Sequence, residues 1–271
     1  MCGIAGYINK NNKIVDSVRI KEMADVIAHR GPDDEGFVVD GHIAYAQRRL
    51  SIIDLSQNGH QPMMDESGRF GIVFNGEIYN YLDLKSELQS KYDFKSTTDT
   101  EVIIYGFAEW GIEVFAKLNG IFAIAIHDRK KEKLYLARDR FGVKPLYFEN
   151  SQQRFQFGSE IKSLLDKDTL RKIDYESLHE FLYYGYALKD KTLYRAVRKV
   201  LPGQMIEYDL KNHTYDFDFF WKHEYLLPEN DGVTETEATQ KIFSLLEAAV
   251  KRQLMSDVPV GVFLSGGIDS S

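Results

Sequence analysis

The chain predicts an α+β fold in which antiparallel sheets are covered by helices. Two observations carry that expectation. Short apolar runs of strand type follow one another across charged or Asn/Gly turns, and the helical patterns gather between these blocks instead of alternating one for one with the strands as a parallel βαβ sheet requires. A chain of 271 residues, 44% of them hydrophobic, is long enough to fill one large core or two modest ones.

Taken in order, residues 2–8 predict a strand, and a Lys/Asn turn leads to a helical pattern over 17–27. A polar loop follows, His29-Arg30-Gly31-Pro32-Asp33-Asp34-Glu35-Gly36, whose Gly-Pro pair and acidic run stop the helix. Strands are expected over 37–39 and 43–47, turning at Asp40-Gly41, and over 70–74, stopping at Asn75-Gly76. Helices are expected over 78–91 and 100–110, the second with Asp99 in place as an N-cap. Segments 121–127, 133–138, 146–148 and 154–158 predict a meander. Helices near 160–165 and 175–184 and a last strand pair around 205–208 complete the block.

The pattern changes near residue 222, where Pro228 and Asp231-Gly232 mark a loop and 235–255 predicts one long amphipathic helix. The expected division is a first domain over 1–222, a linker over 223–234 and the beginning of a second domain over 235–271. In that second part 260–264 predicts a buried strand running into Ser265-Gly266-Gly267-Ile268-Asp269-Ser270-Ser271.

Composition narrows the functions. The longest apolar runs fall far short of the roughly 20 residues of a membrane helix, and the N-terminus has no basic-then-apolar signal, so the expected location is the cytoplasm, without a membrane partner. Lys and Arg number 34 against 41 Asp and Glu, a net charge of −7 with the cations scattered, which argues against nucleic acid and for small-molecule ligands. The single cysteine excludes an internal disulfide and a cysteine-cluster metal site; no metal ligand set is expected.

That cysteine, Cys2, directly follows Met1. Removal of Met1 would leave thiol and α-amine in one residue, and an α-amine with a pKa of ~7.7–8.0 can serve as base for a thiol of ~8.5. A lone cysteine at a strand start is otherwise a small buried hydrophobe. Four further motifs offer chemistry. Arg48-Arg49-Leu50-Ser51-Ile52-Ile53-Asp54 offers a planar guanidinium suited to bidentate carboxylate binding, although paired arginines are often only solvated. Phe74-Asn75-Gly76-Glu77-Ile78 is either a hairpin turn or a polar corner in a site. Thr97-Thr98-Asp99-Thr100-Glu101 offers Asp99 as a helix cap or as a carboxylate for a ligand. The Gly-rich turn after Leu264 exposes backbone N–H groups of the kind that bind anions, and it is not a Walker A loop because no Gly-Lys-Ser follows.

Met1-Cys2-Gly3-Ile4-Ala5-Gly6 with these motifs in this order resembles the class II glutamine amidotransferases, the N-terminal nucleophile glutaminases. The resemblance implies a four-layer αββα sandwich with the nucleophile at the start of a strand. It implies Cys2 as nucleophile, Asn75 and Gly76 as the oxyanion hole, and Arg49 for the α-carboxylate of glutamine. Leu50, Ser51, Ile52 and Ile53 would line the same pocket, and Glu77 and Asp99 would meet the α-amino group. His29–Asp33 also matches a loop near the family's site, with no role assigned to its side chains. Leu264, Ser265, Gly266, Gly267, Asp269 and Ser270 resemble the pyrophosphate loop of an α/β ATP-pyrophosphatase domain. A glutaminase followed by that loop resembles the glutamine-hydrolysing asparagine synthetases.

The resemblance implies a glutaminase half that needs no cofactor and a synthetase half that uses ATP and Mg²⁺ to activate aspartate for amidation by ammonia. These 271 residues alone are expected to act as a glutaminase only. Alternatives are an asparagine-synthetase-like enzyme with another carboxylate acceptor, and a regulatory domain that keeps the fold without the chemistry. Oligomeric state stays open, a homodimer among the options.

Overall fold

The computed structural model describes residues 2–165, 172–224 and 232–268. Two six-stranded sheets, all of whose pairings are antiparallel, stack face to face. The first contains β1 (Gly3–Asn9), β2 (Asp34–Asp40), β3 (Ile43–Arg49), β8 (Tyr147–Asn150), β9 (Arg154–Gly158) and β10 (Val197–Lys199), in the order β10-β8-β9-β1-β3-β2. The second contains β4 (Met63–Met64), β5 (Phe70–Ile78), β6 (Gly120–Asp128), β7 (Lys133–Arg138), β11 (Gln204–Asp209) and β12 (Thr214–Phe219), in the order β12-β11-β7-β6-β5-β4.

The period of two along each strand sends alternate side chains to opposite faces, and this builds three apolar layers. Between the sheets lie Ile4 and Ile8 of β1, Ile43 and Tyr45 of β3, Val73 of β5 and the small Ala123 and Ala125 of β6. On the outer face of the first sheet, Ala5, Ala44 and Ala46 receive Ile20, Met23 and Ala24 of α1 (Ser17–Asp25) and Leu164 of α5 (Ile161–Leu164). On the outer face of the second, Ile72, Phe74, Phe122, Ile124 and Ile126 pack against three helices: α2 (Tyr81–Leu88), α3 (Asp99–Trp110) and α4 (Val114–Lys117). Each buried Ile, Leu, Val, Met or Phe side chain contributes about 1.5–3 kcal/mol, so the three layers together hold the four-layer αββα sandwich.

Several elements differ from expectation, each for a physical reason. Strand β5 does not stop at Asn75-Gly76. Asn75 pairs with Ala123 and Gly76 with Phe122, and a continuous partner strand overrides the turn preference of Asn-Gly. The expected helix over 78–91 is therefore shortened to α2. Thr98, not Asp99, is the N-cap of α3, its hydroxyl accepting from Glu101 N–H at 3.3 Å; Asp99 is the first helical residue and turns its carboxylate elsewhere. The loop expected through Gly36 is already strand from Asp34, paired along β3, and 28–30 forms a 3-10 turn.

The expected meander is split between sheets. β6 and β7 belong to one and β8 and β9 to the other, with the chain crossing over 139–146; nothing in hydrophobic pattern distinguishes a hairpin from a crossover. The short strands β4 and β10 were too brief to register as patterns. Helices α6 (Tyr175–Tyr184) and α7 (Glu235–Gln253) match their predicted spans closely, α7 starting at a Thr234–Glu237 capping box. The expected buried strand over 260–264 is not one: Val262 and Phe263 are fully exposed, because no strand among the described residues pairs with it and a lone strand is not stable in water.

Candidate active site

The register of the first sheet places the nucleophile. Gly3 pairs with Arg48, so Cys2 falls beside the point where β3 ends and the chain enters the Leu50–Ile53 loop. There Leu50 N–H donates to Cys2 Sγ at 3.3 Å, and the thiol faces Leu50 O at 3.6 Å. Arg30 holds the residue from behind, its Nε donating to Cys2 O at 3.0 Å while its Nη1 reaches Glu160 Oε1 at 3.0 Å. This gives the 29–33 loop roles that sequence could not assign, since Asp33 also accepts from Ser51 N–H at 2.8 Å.

Cys2, Arg49, Leu50, Ile52, Ile53, Asn75, Gly76, Glu77 and Asp99 line one cleft at this end of the sandwich. Ser51 is not in its wall; its N–H is tied to Asp33 instead. Leu264 to Gly267 lie elsewhere, exposed, with Gly266 at φ +71°, in an irregular turn that presents no helix. Asp269 and Ser270 lie outside the described residues.

Asn75 is 0% exposed, and neither its Oδ1 nor its Nδ2 has a hydrogen-bond partner. An unsatisfied buried amide costs about 1–3 kcal/mol, so its retention at the wall of a cleft marks a group awaiting a ligand. The backbone before it is held firmly. Phe74 N–H donates to Gln61 Oε1 at 2.7 Å, and Gln47 Nε2 donates to Phe74 O at 2.8 Å. Gly76 is demanded by the sheet: a Cβ there would sit 2.1 Å from Ile121 O of β6.

Arg49 is buried and its guanidinium is engaged with the loop that follows it. Nη1 donates to Ser56 O at 3.1 Å and Nη2 to Ile53 O at 3.2 Å and to Asp54 O. Gly59 lies flat against it, since a Cβ there would fall 1.9 Å from Nη2. The residue expected to bind a carboxylate thus also shapes the loop around that carboxylate's place.

The electrostatics divide the cleft. Burial pushes the Cys2 thiol up from its ordinary value, while the Leu50 N–H and the charges of Lys144 and Arg49 work against the rise. Asp99 is pushed up to about 7, first by burial and then by the nearby Glu77 carboxylate, against the Ile78 N–H that donates to its Oδ2 at 2.9 Å. Burial raises Glu77 as well, opposed by Lys144. Two carboxyls held above their ordinary range in one cleft are a seat for an ammonium group.

Lys144 was missed by sequence reasoning, as were Gln47, Gln61, Thr98 and Thr100, which also line the cleft. Lys144 is buried, and burial lowers its ammonium pKa while Glu77 and Cys2 support the charge. It is delivered by the crossover loop, which Asp139 organises by accepting from the N–H groups of Phe141, Val143 and Lys144 at 3.1, 2.9 and 2.9 Å. A buried Asp followed by a Gly-containing loop was the available signal, but the distance in sequence from Cys2 hid it.

Residues 1–221 match the family described as a glutamine amidotransferase domain, and the chain belongs to that family. Residues 241–271 match the asparagine synthase family. The chain is 38% identical to asparagine synthetase [glutamine-hydrolyzing] 1 of Bacillus subtilis, over the whole of this chain and 43% of that protein. It is 36% identical to a putative asparagine synthetase of Methanocaldococcus jannaschii, over the whole of this chain and 56% of that one. The chain thus spans about half the length of these relatives, 43% of one and 56% of the other. Among solved structures, glutamine phosphoribosylpyrophosphate amidotransferase from B. subtilis shares the fold with a TM-score of 0.61 at 17% identity, over 82% of this chain and 50% of that one.

Proposed function

We propose that the first domain, residues 1–222, hydrolyses glutamine through Cys2, and that with the part begun at 235 it belongs to a glutamine-dependent asparagine synthetase. The observation that carries the reading is the fully buried, unpartnered Asn75 amide in the same cleft as the only thiol of the chain.

Cys2 Sγ attacks the side-chain carbonyl carbon of glutamine, and the carbonyl oxygen gains negative charge that Asn75 Nδ2 and Gly76 N–H receive. A raised thiol pKa requires a base at the nucleophile, and among the described residues no histidine lines the cleft. The α-amine of Cys2, freed by removal of Met1, fills that role. The proton passes to the leaving nitrogen, the C–N bond breaks, and ammonia departs from a thioester. Water then adds to the thioester carbonyl and the S–C bond breaks, giving glutamate and regenerating the thiol. Arg49 with the Leu50–Ile53 backbone takes the α-carboxylate end, and Glu77 and Asp99 the ammonium.

The second domain would supply activation of an aspartate carboxylate by ATP with Mg²⁺, which the ammonia would amidate. The match of 241–271 to the asparagine synthase family and the relatives' names support this. The described residues 260–268 are exposed and irregular and do not by themselves make a nucleotide site, so no step is assigned to them. No helix among the described residues is long and apolar enough to cross a membrane, and a cytoplasmic location suits an enzyme using glutamine, aspartate and ATP.

The test is glutamate release from glutamine by the purified protein, together with labelling by an electrophilic glutamine analogue. Labelling confined to Cys2 is expected. Hydrolysis that survives Cys2→Ala would overturn the reading.

A further inference from the structure

Asp257 lies after α7, outside the cleft, yet it holds the cleft's wall. Its N–H donates to Ile52 O at 2.9 Å and its Oδ2 accepts from Asp54 N–H at 2.7 Å, one bond on either side of Ile53. The residue is itself braced, because Ser256 Oγ donates to Val258 O at 2.9 Å and accepts from Val258 N–H at 3.1 Å.

The segment it grips needs holding. Residues 50–56 contain no regular strand or helix, Leu55 is exposed, and Asp54 sits at φ +54°, a region uncommon outside glycine although aspartate tolerates it better than most. Three restraints converge there. Arg49 binds the carbonyls of Ile53, Asp54 and Ser56 from within. The Asp54 carboxylate accepts from Ser56 N–H and from Thr97 N–H, each at 3.0 Å, tying the loop to the approach of α3. Asp257 supplies the third, a carboxylate on the Asp54 N–H, the stronger charge-assisted kind of hydrogen bond.

We propose that Asp257 is a positioning residue for the glutamine cleft: it fixes the backbone that carries Ile52 and Ile53, so that substrate affinity in the first domain depends on a residue beyond it. The proposal rests on the glutaminase reading of that cleft. Asn75 stands on β5, held by its pairing with β6, while the hydrogen bonds of Asp257 go to Ile52 and Asp54, so binding and not turnover carries the effect.

The experiment compares the 271-residue chain with Asp257→Ala, Asp257→Asn and, as a neighbour without this contact, Val262→Ala. Amide hydrogen exchange over 50–56 and steady-state glutamine hydrolysis are both measured. Asp257→Ala should speed exchange in 50–56 and raise KM about five- to tenfold with kcat within about twofold of wild type, a coupling of ordinary size. Asp257→Asn keeps the acceptor oxygen and should restore most of both, and Val262→Ala should match wild type. Unchanged exchange in Asp257→Ala, a fall in kcat at constant KM, or an asparagine variant as impaired as alanine would overturn the proposal. If the wild-type protein hydrolysed no glutamine, the glutaminase reading would fall, while the exchange data would still decide whether Asp257 holds the loop.

Discussion

Asn75→Ala separates a functional amide from a structural one, because the two roles predict opposite changes in stability. An ordinary buried asparagine satisfies its neighbours, and its loss leaves them unpaired at about 1–3 kcal/mol. Here neither Oδ1 nor Nδ2 has a partner in the ligand-free protein, so truncation orphans nothing and removes a desolvation penalty of the same order. The space vacated borders the cleft, so the cavity term is small, and water reaching the amide through the cleft would reduce the gain toward zero. Net stability should stay level or rise by about 1 kcal/mol, a Tm shift of roughly 2–4 °C upward for a domain of this size. Turnover should fall ~10²–10³-fold, about 2.7–4 kcal/mol of lost transition-state stabilisation, with KM little changed. Thermal unfolding and glutamate release measure the two. A Tm several degrees lower with kcat intact would refute the reasoning and make Asn75 a structural residue.

Other expectations concern the charges around the substrate. Asp99 holds a proton in the folded state up to about pH 7, against an ordinary carboxylate value when unfolded. The folded state therefore binds more protons between roughly pH 4 and 7, and ligand-free stability should decline across that window as pH rises. Glutamine's ammonium needs the ionised form, so KM should fall about tenfold per pH unit as pH rises toward 7, and Asp99→Asn should flatten both curves, with KM close to wild type at low pH and well above it at pH 7 and beyond. Removing the Lys144 charge with Lys144→Met should move the acidic limb of kcat/KM upward in pH, since that charge favours the thiolate; an unmoved limb would show that Lys144 does not act on Cys2. Cys2→Ala should abolish hydrolysis with a Tm near wild type, as the thiol makes only weak contacts with Leu50.

Local composition determined much of this protein. Apolar runs placed strands over 2–8, 43–47 and 70–74, where β1, β3 and β5 lie, because a strand's pattern is set by its own residues. The motifs at Cys2, Arg49, Asn75 and Asp99 were legible as short strings of unusual chemistry, and the resemblance they carried named the amidotransferase fold. Only the tertiary structure decided how those strings meet. It split an apparent meander between two sheets and carried β5 through Asn75-Gly76, because pairing depends on which strand lies alongside and not on the residues of either one. It brought Lys144, Gln61 and Asp257 from distant segments to one cleft and its wall, and it left 260–264 unpaired where the sequence alone promised a buried strand. Burial drew the same line. The rise of Asp99 to about 7 follows first from its burial and then from the repulsion of the Glu77 carboxylate, and a sequence read one residue at a time carries no measure of the water excluded around a carboxylate.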